Sequence, residues 1–137
     1  MIVMDWLTAA FERTWFYVAT IIIGVMYGFG GLVHVGNILG FGEMTWAESP
    51  LSWKLGDVFW GILDIVAVVG IILKAPVGVL AVTLAALSQI VVYGIWPERF
   101  ALTDEHLSVL RGMVFFNTSV LIILGCLVWL ASSKSGT

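Results

Sequence analysis

Charge is what this sequence has least of. Of its 137 residues only 11% are Asp, Glu, Lys or Arg, against about 25% in ordinary soluble domains. With 61% hydrophobic residues and a mean hydropathy of +1.07, that scarcity excludes a soluble globular domain and identifies an integral membrane protein. Basic residues are fewest: six Lys and Arg against nine Asp and Glu give a net charge of −3. No basic arm exists for nucleic acid, and that partner class is set aside. The one cysteine, Cys126, allows no intrachain disulfide and no thiolate knuckle. It lies deep in an apolar run and reads as a small packing residue. Two histidines at different depths do not suit a haem. Nucleophile-elbow, phosphate-loop and zinc-protease signatures are absent. The first residues carry acidic Asp5 and Glu12 rather than a cationic lead-in, so a cleaved signal is not expected. Trp6, Leu7, Ala10 and Phe11 fit one face of a short interfacial helix there.

What is present is apolar and long. A spanning helix needs about 20 apolar residues, and four such runs extend over 15–39, 55–73, 76–96 and 107–131. The predicted fold is all-α, an integral membrane four-helix bundle forming a single domain over 1–137. Ser49-Pro50 and Thr103-Asp104-Glu105 are helix-start signals. Lys74-Ala75-Pro76 leaves almost no linker between the second and third runs, which predicts a tight antiparallel hairpin. Trp15, Trp46, Trp53, Trp96 and Trp129 fall near the run ends, at headgroup level. Gly24, Gly28 and Gly31 offer a small-residue face for close helix contact. With the N-terminus inside, Arg13, Lys74 and Lys134 face the cytoplasm, and Lys54, Arg99 and Arg111 lie opposite among acidic loop residues. Lys54 and Arg111 sit within helix starts, so the balance leans to both termini cytoplasmic, in a bacterial inner membrane.

Against this background the polar residues inside the runs are costly. A carboxylate at mid-membrane costs about 2.5–3.5 kcal/mol on insertion scales and marks a functional site by default. Trp53, Asp57, Trp60 and Asp64 follow helical steps of four, three and four, one stripe of the second run. His34 and Asn37 in the first run, Gln89 and Tyr93 in the third and Arg111 in the fourth lie at similar depth, with Asn117 deeper. Lipid cannot satisfy such groups, so they should turn inward and meet. Seven residues separate Asp57 from Asp64 by about 10.5 Å of helix axis, too far to share one proton. Matched depth predicts an Asp57–Arg111 ion pair beside His34, with Asp64 facing Asn117 or Gln89. Asp64 and His34 are the candidate catalytic residues. Asp57, Trp60, Gln89, Tyr93, Arg111 and Asn117 are the candidate ligand-binding residues. No metal is expected: His34, Asp57 and Asp64 lack HxxxH or ExxH spacing, and transition metals prefer more nitrogen or sulfur donors. His106 sits at the mouth and would join only if its helix bent inward.

"GVMYGFGGLVHVGNILGF" followed by "WGILDIVAVVGIIL" resembles the DoxX-like group of small four-helix membrane proteins, in which a Gly-rich first span precedes a second with an acidic residue. "LDIVAVVGIILKAPVGVLAVTLAALSQIV" is similar to a family of uncharacterised bacterial membrane proteins. The DoxX-like resemblance implies a bundle that can serve as a quinone-linked subunit, with Asp64 at the acidic position. Two functions follow as expectations. One is an accessory subunit of a larger membrane complex, respiratory or quinone-linked, with lipid, other subunits or further copies as partners. The other is a self-contained enzyme or binder of an apolar ligand, a quinone or lipid, using Asp64 as acid and base.

Overall fold

A computed structural model describes residues 2–133. Lys134, counted above for orientation, lies outside them. The chain is all-α: α1 Ile2–Phe11, α2 Thr14–Ile38, α3 Leu51–Ile72, α4 Pro76–Ile95, a 3-10 turn Pro97–Arg99 and α5 Asp104–Ser133. Helices α2 to α5 are each long and apolar enough to cross a membrane. They pack in chain order, with α3 and α4 in the middle and α2 and α5 meeting only weakly. Short α1 lies at the other end of the bundle from the α2–α3 loop. It buries Leu7, Ala10 and Phe11, and the Phe11 ring meets Phe16 edge-on at 5.4 Å.

The bundle buries several polar side chains within an apolar core and exposes large apolar ones on its outer surface. Buried on the inner stripes are Thr20, His34, Asp57, Asp64, Gln89 and Asn117. Ile22, Phe29 and Leu32 on α2, Ile62 and Ile65 on α3, and Phe115 and Ile122 on α5 are exposed. An apolar outer surface is what lipid demands, because acyl chains welcome apolar side chains and satisfy no hydrogen bond.

Helix ends follow the signals with one exception. The Thr103 hydroxyl accepts from the His106 N–H at 3.2 Å and so caps α5. Ser49 does not cap α3: its hydroxyl turns back to the Thr45 carbonyl at 3.0 Å, and Pro50 takes the cap position. Both starts lie three or four residues before the apolar runs begin, since a helix emerging from the bilayer continues into its polar first turns.

The α3–α4 hairpin is tight as predicted. Ala75 N–H donates to Gly70 O at 2.7 Å and Lys74 N–H to Ile71 O at 3.0 Å, a Schellman closure in which Lys74 takes φ +53°. The helices then touch backbone to backbone. A Cβ on Gly70 would lie 2.5 Å from the Gly78 nitrogen, so only glycine permits this crossing. Between α2 and α3 the small-residue face performs as expected: Gly24 abuts Ile71, Gly28 abuts Val68 and Gly31 abuts Asp64. Cys126 differs from its packing assignment. It is exposed on the lipid face of α5, because the inner stripe runs through Asn117, Val120 and Leu124 and passes it by.

Candidate functional site

α2 and α3 bring His34 between the two aspartates. His34 Nδ1 lies 2.8 Å from Asp57 Oδ1, and Nε2 lies 3.9 Å from Asp64 Oδ2. A carboxylate only accepts, so Nδ1 carries the proton and donates to Asp57, which leaves Nε2 turned towards Asp64. Asn37, one turn further along α2, donates from Nδ2 to the same Asp57 oxygen at 3.0 Å. The pair is buried, with Asp57 and His34 side chains about one-tenth exposed.

Asp64 is deeper still. Its Oδ1 is buried and has no hydrogen-bond partner. Space for this carboxyl comes from two glycines of α2: a Cβ on Gly30 would sit 2.9 Å from Asp64 Oδ2, and one on Gly31 3.1 Å from Asp64 Cβ. The Gly28-Phe29-Gly30-Gly31 stretch therefore accommodates a carboxyl as well as a helix. A buried carboxyl oxygen left without a donor is expensive, and each such group calls for an explanation.

Two expected contacts are corrected. Arg111 is exposed and makes no ion pair among the described residues; His34 and Asn37 occupy the place assigned to it beside Asp57. The reason is rotation. The inner stripe of α5 is His106, Leu110, Met113 and Asn117, and Arg111 stands about 100° off Leu110, towards lipid and headgroups. Nor does Asp64 bond to Asn117 or Gln89. Those two form a separate network, with the Tyr27 hydroxyl donating to Asn117 Oδ1 at 2.7 Å and Asn117 Nδ2 donating to Gln89 Oε1 at 2.8 Å and Met113 O at 2.9 Å. This network ties α2, α5 and α4 together at mid-bundle.

Above it lies a cavity of about 300 Å³, at the end of the bundle that carries the α2–α3 loop. His34 and Asp57 contribute its polar wall, and Trp53, Trp60, Tyr93 and Phe100 its rings. Trp60 is fixed by an Nε1–H bond to Ser88 Oγ at 3.0 Å and by ring contacts to Tyr93 at 5.0 Å and Phe100 at 5.8 Å. Phe100 reaches the wall because the Ser52 hydroxyl donates to Arg99 O at 2.6 Å, pinning the 3-10 turn to α3. Val33 of α2 and Val109 of α5 also line the cavity, and both are about half exposed on the outer surface. The cavity thus opens sideways where α2 and α5 part.

Sequence reasoning placed His106 at the mouth but missed its partner in the α2–α3 loop. His106 lines the cavity without any bend in α5, and its Nε2 lies 2.9 Å from Glu43 Oε2 of the α2–α3 loop. Its Nδ1 accepts from the Leu102 N–H at 3.2 Å, so Nε2 carries the proton and donates to Glu43. The signal was available in the four, three, four steps of 106, 110, 113 and 117. Trp53, whose ring meets His106 at 5.6 Å, has a buried indole N–H without a partner.

The chain matches no family model, no curated protein and no solved structure. What holds without relatives is that this is a small integral membrane protein, an all-α bundle with four helices able to span the bilayer.

Proposed function

We propose that the protein binds a lipid-soluble amphiphile, taking its polar head into the cavity and exchanging a proton with it through His34. The observation that carries this is the double opening of the cavity, to the His34–Asp57 pair within and to the bilayer between Val33 and Val109. A tail leaving by that gap stays in acyl chains while the head meets the His34–Asp57 wall. A volume of about 300 Å³ is at the small end of ligand sites, suited to a head group rather than a whole lipid. Asp57 holds the imidazole in one tautomer, so Nε2 is free to give or take the proton, and Asp64 stands 3.9 Å behind it as a second carboxyl. The DoxX-like resemblance makes a quinone one head group to test. With both termini in the cytoplasm, the cavity would serve the outer leaflet of a bacterial inner membrane.

One observation favours the accessory-subunit reading instead. Only 17% of the apolar window of α5 is inside the bundle, against 33–44% for the other three spans. Native mass spectrometry from mild detergent separates the two. A retained small molecule that is lost in Val109→Trp, which fills the sideways opening, supports the binder. Stoichiometric partner chains with no small molecule, or retention unchanged by the plug, refutes it.

A further inference from the structure

The walls of the cavity carry carboxylates and aromatic rings but no Lys or Arg. Glu43 and Asp57 supply the charge, and Trp53, Trp60, Tyr93 and Phe100 supply the rings. The three cations near this end are all committed elsewhere or outside. Lys54 donates to Ala47 O at 3.0 Å and lies over the Trp46 ring, while Arg99 and Arg111 are exposed. His106 meets Glu43 through a single contact, Nε2 to Oε2 at 2.9 Å, while its Nδ1 accepts the Leu102 N–H. At Asp57 the partners are one N–H of His34 and one of Asn37, which leaves its second oxygen without a partner among the described residues.

We propose that the head group this cavity selects is a cation, an alkylammonium, held between Asp57 and Glu43 and faced by the aromatic wall. The inference rests on the amphiphile-binding reading above and names its ligand class. Ring quadrupoles attract an ammonium most strongly where water is scarce, as at the membrane end of this cavity. The same wall repels an anionic head, and it gives a neutral hydroxyl only hydrogen bonds. Asp57 then has two tasks: it orients His34 through Oδ1 and meets the guest through the other oxygen.

The test uses the full chain in nanodiscs of uncharged lipid, titrated calorimetrically with four probes: dodecylammonium, dodecanol, dodecanoate and a decyl-substituted quinol. Empty nanodiscs and the Val109→Trp protein give the background of simple partitioning. The ammonium is expected to bind about tenfold more tightly than the alcohol, equivalent to about 1.4 kcal/mol. Glu43→Gln, a change on a side chain 70% exposed, should cut that preference to about threefold or less without disturbing the fold. Asp57→Asn should abolish it. If the alcohol or quinol binds above background at least as tightly as the ammonium, the cationic head is refuted and the amphiphile site stands. If Glu43→Gln and Asp57→Asn both keep the full preference, the cationic cage is likewise refuted. If no probe exceeds the plugged protein, both readings fall.

Discussion

Asn117 is the best place to test how this bundle is held together, because three of its hydrogen bonds can be counted and all are buried or nearly so. Two of them cross between helices, to Tyr27 and to Gln89. Interhelical hydrogen bonds in membranes average about 0.6 kcal/mol and reach about 1.7 at most. Tyr27→Phe removes only the first and should cost about 0.6 kcal/mol. Asn117→Ala removes both, empties a fully buried site and leaves the Gln89 carbonyl facing hydrocarbon, so about 2–3 kcal/mol is expected. Because the two residues share a bond, the double variant should cost about 0.6 kcal/mol less than the sum of the singles. Reversible unfolding in mixed micelles, followed by loss of helical circular dichroism, measures all four corners of the cycle. Additivity within about 0.3 kcal/mol would show that Tyr27 and Asn117 do not interact, and the mid-bundle network would be refuted.

Two further outcomes follow from positions outside the cavity. Lys74 is held in the left-handed region, so Lys74→Gly should relieve about 1 kcal/mol of strain, offset by about 0.5 kcal/mol from the lost contact of its ammonium, 5.0 Å over the Tyr17 ring. A raised unfolding midpoint is the expected reading, and a lowered one refutes the strain argument. Arg111→Ala, which an ion pair with Asp57 would have made severe, should change stability by no more than about 0.5 kcal/mol because the side chain is exposed and unpaired. A loss of folded protein on that substitution would return Arg111 to the interior.

The spans were legible because twenty apolar residues in a row leave few alternatives, and the hairpin was legible because Lys74-Ala75-Pro76 leaves no room for anything else. Depth was legible too: His34 and Asp57 were placed in one half of the bundle, and they meet there. Azimuth was the weak coordinate on α5. Charge matching drew Arg111 to Asp57, yet Leu110 and Asn117 are seven residues apart on one stripe, and Arg111 falls between its rows. A charge that reaches the headgroup region needs no buried counter-ion. The Glu43–His106 contact spans 63 positions and joins a loop to a helix, and no periodicity within either segment encodes such a pairing. Asp64 is as deep as its position in the run suggests, but of the partners assigned to it Asn117 is taken by Tyr27, which lies on the same face of α2 as His34, and Gln89 by Asn117.

One imidazole from the facing helix stands between the two aspartates a heptad apart, 2.8 Å from Asp57 and 3.9 Å from Asp64. The two carboxyls differ in setting: Asp57 accepts from His34 and Asn37, whereas Asp64 lies in the space left by Gly30 and Gly31 on the far side of the ring. The arrangement ends abruptly below. Under the Tyr27–Asn117–Gln89 network the interior is Ala67, Ile71, Val82, Ala85, Val120 and Leu124, closed by the backbone contact of Gly70 with Gly78. The one buried polar side chain there, Thr20, spends its hydroxyl on carbonyls of its own helix. Among the described residues the buried carboxyls and imidazole, Asp64, His34 and Asp57, therefore all lie on the loop side of that network, with Glu43 and His106 at the mouth. The polar interior is confined to one half of the bundle by the apolar packing of the other.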